Sequence, residues 1–412
     1  MTLFNQPIQS NKTITVIDSI MGTGKTSYSI QMMKEAPEVQ KFIFITPFLD
    51  EVERIKLALP ERNFKEPSKS NKKGAKLEGL KQLLVRGENI ASTHALFKRC
   101  DEEVIELLKA NGYILILDEV AEVVEQMEIV EEDIDILFKS GTIIEDEGKW
   151  IKWVGTTREY KGALKDVMES CYMNNVYRYG KKFYMWTFPV EVFQSFSKVY
   201  VLTYMFDGSL QKYYFDLFNQ KYEYKSVERI DNRYELIDYV ENYDMSVIAG
   251  LLNIYEGTLN DVGNDRTAFS MTKLDRMAKE KSPLLKVIQK NIYNYFKYIA
   301  KCKANERMWT TYKDHKNSLK GDGYTKQFLA CNSRATNQYK DRTTMAYVCN
   351  RFVQPSIKNF FTAHGIEINE DRIALSELVQ WIFRSAIREG KEVNIYIPSS
   401  RMRRLLKEWL GE

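Results

Sequence analysis

The sequence predicts an α/β protein of two domains, each built on a mostly parallel sheet covered by helices. Three observations lead there. At 412 residues the chain exceeds what one hydrophobic core usually organises. Short β-branched or aliphatic runs alternate with amphipathic stretches in the order strand, turn, helix. The balance of 44% hydrophobic and 28% charged residues is that of an ordinary globular protein.

In order along the chain, TITVID (13–18) is a strand candidate, followed by a glycine-containing turn and the helical stretch TSYSIQMMKEA. KFIFITP leads into the helix FLDEVERIKLAL, and YILILDEV reads as a buried strand. SKVYVLTYMF closes a first domain expected at 1–207, which carries an aromatic-rich insertion at 140–195. The polar, basic segment 62–76 reads as a loop. A second domain is expected at 208–412, with a helical insertion at 232–300. Its clearest helix runs from 283 to 302, with Leu284, Val287, Ile288, Ile292, Tyr295 and Ile299 on the apolar side. Strand candidates RMWTTY, KQFLAC and VNIYIP follow, with the helix ALSELVQWIFRSAIRE between the last two and the basic helix SRMRRLLKEWL at the end.

Several classes are excluded. No run approaches the roughly 20 apolar residues of a membrane helix. The amino terminus lacks a basic segment followed by an apolar stretch, so a cytoplasmic location is expected. Five scattered cysteines without a C-x-x-C pair, and only three histidines, argue against a zinc site or a disulfide framework. A net charge of +4 is too small to identify a polyanionic partner, so the local clustering of basic residues carries that question.

The strongest local signal is Ser19-Ile-Met-Gly22-Thr23-Gly24-Lys25-Thr26-Ser27 between a strand and a helix. A glycine-rich turn there points successive N–H groups inward to cradle phosphate, and the helix amino terminus adds its dipole. Lys25 is expected to reach the β- and γ-phosphates of ATP, and Thr26 to ligate Mg²⁺. The strict pattern has glycine where this chain has Ser19, a small residue that still permits the turn. At the end of the aliphatic run Ile114–Leu117, Asp118 is expected to hold Mg²⁺ and Glu119 to polarise the attacking water.

These residues resemble the superfamily 2 helicases and translocases, and more narrowly their bacteriophage-encoded members. The phosphate loop resembles that family's A-x-x-G-x-G-K-T and Asp118-Glu119-Val-Ala its D-E-x-x box. The resemblance implies two tandem RecA-like P-loop domains. It implies nucleic-acid contacts at Thr46-Pro47 and at Thr93-His94, and a coupling residue at Thr203. Gln380 and Arg384 fit the family's last motif, Q-x-x-x-R-x-x-R, whose final position holds Ile387, with Arg388 one residue later. On one helix, 380, 384 and 388 share a stripe, from which Arg384 and Arg388 are expected to act as arginine fingers beside Gln380. Segment 332–337, with Arg334 and Asn337, resembles the penultimate motif, which touches nucleic acid.

Contacts to a polymer need basic residues and, for single strands, aromatic ones. Three clusters offer them: 62–76, the region 301–320 with Trp309 and Lys313, and the terminal helix with Arg401, Arg403, Arg404 and Lys407. The function this implies is an ATP-driven helicase or translocase on nucleic acid, DNA before RNA and single-stranded or forked. A replication or recombination protein is its expected partner. The alternatives are a nucleic-acid-binding switch that uses ATP only to change shape, and a viral packaging motor, whose carboxylate-rich nuclease domain has no counterpart in this sequence.

Overall fold

The computed structural model describes residues 12–67, 75–127, 129–155, 162, 164–173, 175–179, 183–332 and 338–412. The chain divides into two units, 1–240 with 354–368 and 241–353 with 369–412.

The first unit opens with β1 (Ile14–Asp18), β2 (Phe42–Thr46), β3 (Ile90–Thr93) and β4 (Ile114–Asp118). It then forms β5 (Val124–Met127), β6 (Ile143–Glu145), β7 (Ile151–Trp153), β8 (Val176–Tyr179) and β9 (Phe183–Thr187), and returns through β10 (Lys198–Thr203), β11 (Tyr222–Ile230) and β12 (Arg233–Asp238). The main sheet has the order β12-β11-β1-β10-β4-β2-β3, parallel except for β12. Every residue of β2 is buried, as a strand covered on both faces requires. Helices Lys25–Glu35 and Leu49–Ala58 bring Met33, Val52 and Ile55 against Phe42, Phe44 and Ile116.

The boundary expected at 207 falls inside this unit. Strands β11 and β12 bond onto the free side of β1 and carry the sheet to Asp238. Without them the apolar β1 would be an edge with unpaired backbone groups.

The aromatic-rich segment is a small module with its own core, opening at Val124 rather than at 140. Its sheets are β5-β9-β8 and β6-β7, and Ile134, Ile143, Ile151, Trp153, Met168 and Val176 pack together beside them. Trp153 and Tyr177 are therefore core residues. Of the acidic residues that follow Asp118-Glu119, Glu125 lies in β5, and Glu131 and Glu132 open helix Glu131–Lys139, where carboxylates suit the helix dipole. Helix Pro355–Ala363, from late in the chain, also belongs to the first unit. It buries Phe360 completely, with its ring 5.1 Å from that of Tyr177 and 4.7 Å from that of His364.

The second unit holds the parallel strands β13 (Leu252–Ile254), β14 (Arg307–Thr310), β15 (Thr344–Tyr347) and β16 (Val393–Tyr396), in the order β13-β16-β15-β14. KQFLAC is not a strand. It holds the 3₁₀ turn Thr325–Gln327 and one isolated bridge from Phe328 to Trp309. The sheet takes Thr344–Tyr347 instead, because all four of those residues can be buried while Lys326 cannot. The expected helical region 232–300 is mixed: 233–238 is β12, helix Ser246–Leu251 leads into β13, and helices Met271–Lys279 and Leu284–Asn294 follow. The helix expected at 283–302 is α-helical over Leu284–Asn294 and becomes a π turn over Tyr295–Ile299.

Phe360→Ala should cost about 3–5 kcal/mol, the usual penalty for emptying a fully buried aromatic site. Urea unfolding followed by tryptophan fluorescence would read it, and an unchanged midpoint would show that helix Pro355–Ala363 does not stabilise the first unit.

Candidate active site

In a parallel sheet, ligands gather at the carboxyl ends of the strands, where side chains leave the ladder. Here β10 lies between β1 and β4, with Thr203 opposite Asp18 and Leu202 opposite Asp118. The phosphate-loop strand, the acidic strand and the Thr203 strand therefore end side by side.

The loop after β1 is tied down at its base. Asp18, only 2% exposed, accepts hydrogen bonds from the N–H groups of Met205 and Phe206, both at 2.8 Å. Burial outweighs these bonds and pushes the Asp18 carboxyl up to about 6. Ser19 is fully buried; its N–H donates to the Thr203 carbonyl at 3.1 Å, and its hydroxyl accepts from the Val227 N–H at 2.9 Å. This position thus does more than stay small: its hydroxyl pins the loop to β11. The sequence carried no signal for it, because the partner lies 208 residues away.

Gly22 and Gly24 have φ of 93° and 99°, the left-handed region that side chains disfavour. A Cβ on Gly24 would also lie 2.1 Å from the Tyr234 ring, so β12 braces the loop from outside. Gln31 fixes that brace by bonding both the N–H and the carbonyl of Tyr234, at 3.0 and 3.1 Å. The Thr23 hydroxyl donates to the Ile20 carbonyl at 2.9 Å. The Lys25 ammonium donates to the carbonyls of Ser19 and Ile20, closing the loop on itself. Thr26 and Ser27 lie half-buried in the first turn of helix Lys25–Glu35.

At the acidic end, Asp118 faces two hydroxyls, Thr26 Oγ1 at 3.5 Å and Thr46 Oγ1 at 3.4 Å. Burial pushes its carboxyl up to about 7, with Glu119 and Glu51 adding to the shift and Lys25 opposing it. A carboxylate held among like charges, beside a hydroxyl, is a donor set of hard oxygens that a divalent cation relieves. The residues present fit Mg²⁺. Glu119 takes φ of 67° directly after the strand, while its N–H stays bonded to the Leu202 carbonyl at 2.9 Å. Such strained positions concentrate at functional sites.

Thr46 is completely buried against Asp118, so it belongs to the acidic end and cannot touch a polymer as expected. Pro47 and Thr93 are half-buried, and Thr93 pairs with Thr46 across the strands. His94 sets its Nε2 3.2 Å from the Asp118 carbonyl oxygen. Thr203 is 1% exposed, and its hydroxyl has no hydrogen-bond partner among the described residues. Arg334 and Asn337 lie outside the described residues.

Other expected positions are corrected. Trp309 is fully buried, its ring 5.1 Å from Tyr324 and 5.0 Å from Phe328, so it is core and not a stacking platform; Lys313 is exposed. Gln380, Arg384 and Arg388 do not share a helix. Helix Glu370–Ile382 ends before Arg384, and Arg388 sits exposed in the 3₁₀ turn Ala386–Glu389. That helix is buried over most of its circumference and keeps only Gln380 of the three, with Gln380 Nε2 donating to Ser376 Oγ at 3.3 Å. The terminal helix spends its cations internally: Arg401 and Arg404 pair with Asp371, and Arg403 and Lys407 with Glu256.

The Asp18 shift has a stability consequence. Its folded pKa stands above the unfolded value of 3.8, so the stability it contributes is complete below pH 4 and is lost as pH rises through about 6. Between pH 4 and 7 the nucleotide-free protein should lose on the order of 2–3 kcal/mol relative to Asp18→Asn. Urea midpoints that run parallel for the two proteins would contradict this.

Residues 2–144 match the family described as type III restriction enzyme, res subunit. Residues 124–186 match the YonV middle domain, and 246–410 the YonV C-terminal Rossmann-like domain. Among solved structures, S. tokodaii Xpd4 is similar at 13% identity and TM-score 0.47, over 98% of this chain and 95% of that one. The DUF1998 helicase MrfA bound to DNA is similar at 10% identity and TM-score 0.39, over 98% of this chain and 50% of that one. The SPbeta prophage-derived uncharacterized protein YonV of Bacillus subtilis (strain 168) is 43% identical over 408 residues, which is 96% of this chain and 98% of that protein. The α/β fold of tandem RecA-like domains is the fold of this chain, with the likeness to the res subunit family carried by residues 2–144. With that identity over nearly its whole length, the chain belongs to the family of YonV.

Proposed function

We propose that this chain is an ATP-dependent DNA helicase or translocase serving phage replication or recombination. The observation that carries the reading is the order β1-β10-β4, which sets the phosphate loop and the Asp118-Glu119 pair on either side of the Thr203 strand.

Nucleotide chemistry follows from these residues. The loop N–H groups receive phosphate oxygens, and Lys25 exchanges its two carbonyl partners for the β- and γ-phosphates. Thr26 and Asp118 would hold Mg²⁺, which would supply charge neutralisation there. Glu119 orients the attacking water and takes up its proton. The Gln380-x-x-x-Arg384 pattern resembles a motif whose arginine supplies a cation for the transition state, an expectation that Arg384→Ala tests. Thr203, bonded through its carbonyl to the loop, couples the nucleotide end of β10 to the rest of the unit.

Steady-state ATP hydrolysis should rise severalfold with single-stranded or forked DNA and fall to background in Lys25→Ala, with Arg384→Ala binding ATP but turning it over slowly. Turnover at the wild-type rate in Lys25→Ala would end the assignment, and turnover indifferent to every DNA and RNA tested would end the motor reading.

Thr203→Val should leave the thermal midpoint unchanged or slightly raised, because it removes a buried hydroxyl without a partner. It should nevertheless reduce polymer stimulation of ATP hydrolysis by about tenfold, or 1.4 kcal/mol. Full stimulation in that variant would make Thr203 a packing residue only.

A further inference from the structure

Between Glu280 and Glu306 the second unit carries no acidic residue and six lysines: Lys281, Lys286, Lys290, Lys297, Lys301 and Lys303. All six are exposed, and none forms an ion pair among the described residues. On the terminal helix, by contrast, the surface cations are tied to carboxylates. Uncompensated charge of this density repels itself and costs stability unless an anion is brought to it.

The lysines are also ordered. Lys286, Lys290, Tyr293 and Lys297 follow one another at intervals of four, three and four, which aligns them on one face of helix Leu284–Asn294 and its continuation. At about 1.5 Å per residue, that row is on the order of 16 Å long. Lys297 is held in place: it donates to Tyr293 Oη at 2.6 Å and lies 5.1 and 5.3 Å from the rings of Tyr293 and Tyr298.

Apolar groups stand beside the charge. A regular helix would bury Ile299 below Ile288 and Ile292. The π turn inserts an extra residue per turn, buries Tyr295 and Phe296 instead, and turns Tyr298 and Ile299 outward at 57% and 50% exposure. Val287 is exposed as well. A row of cations flanked by an exposed aromatic ring and aliphatics is the chemistry that holds a single strand, with phosphates on the lysines and bases on the flat apolar groups.

We propose that this face of helix Leu284–Asn294 and the π turn is a binding track for single-stranded nucleic acid. The proposal rests on the motor reading, but it assigns the contact to a surface other than Trp309 and the helicase motifs.

The test is anisotropy of a fluorescent single-stranded 20-mer with the full chain, without nucleotide, over a range of salt. The triple variant Lys286→Gln, Lys290→Gln, Lys297→Gln should lower the slope of log affinity against log salt by about 2, at roughly 0.7 per phosphate contact. Tyr298→Ala should weaken binding about tenfold with the slope unchanged. Hydrolysis of ATP without polymer should be the same in all three proteins. Wild-type binding with an unaltered slope in the triple variant would overturn the track and leave the motor reading standing. A wild-type chain that binds no strand would overturn both. Co-sedimentation with phosphatidylserine vesicles, lost in the triple variant while strand affinity stays unchanged, would instead make the face a membrane contact and overturn the proposal.

Discussion

Everything at the candidate site depends on the ladder that joins β1, β10 and β4. Parallel strands in register end together, so three segments far apart in the chain deliver Asp18, Thr203 and Asp118 to one edge. The ladder alone would leave the phosphate loop free to move. Two buried polar contacts prevent that: Asp18 holds the amides after β10, and Ser19 holds the amide of Val227 in β11. The loop is thereby bound to the strand on each side of its own. Buried hydrogen bonds of this kind are expensive to lose, which makes the loop's conformation part of the fold and not a local choice.

The same edge concentrates opposing charges that the protein leaves unbalanced. Asp118 stands beside Glu119 and near Glu51, and Lys25 is the cation that opposes them. Lys25 spends its hydrogen bonds on the loop's own carbonyls. A site arranged in this way is uneasy by itself and gains most from a polyanion arriving with a divalent cation. The left-handed Glu119 adds backbone strain at the residue expected to handle the water. Stability is given up where chemistry is expected, and the aliphatic interior of the sheet compensates for it.

The basic residues divide by what surrounds them. Arg401 is buried and bonds to Asp371, Asn350 and the Arg351 carbonyl, so its charge organises the interior of the second unit. Arg307 likewise caps the carbonyls of Cys302 and Gly323. The lysines of 281–303 form no ion pair among the described residues, and Lys297 is held only by neighbouring tyrosines. Runs of similar composition therefore serve two purposes, and only the presence or absence of nearby acceptors tells them apart.

Much was legible in the amino-acid order because some physics is local. A glycine-rich turn between a β-branched run and a helix, and an aliphatic run ending in Asp118-Glu119, each need only neighbouring residues to take shape, so Lys25, Thr26, Asp118 and the class of fold could be read directly. Helix Leu49–Ala58 and helix Ser400–Leu410 were equally plain from their periodicity. Tertiary structure alone decided what depends on distant partners. It buried Trp309, which the composition of its cluster had offered to a polymer, and Thr46, which the family resemblance had, because aromatic and hydroxyl groups are used inside and outside alike. It ended the helix before Arg384, rotated Ile299 outward through a π turn, and gave helix Pro355–Ala363 to the first unit. Local propensity names the element a segment forms, whereas the side of it that meets water is set by whatever else the chain packs against it.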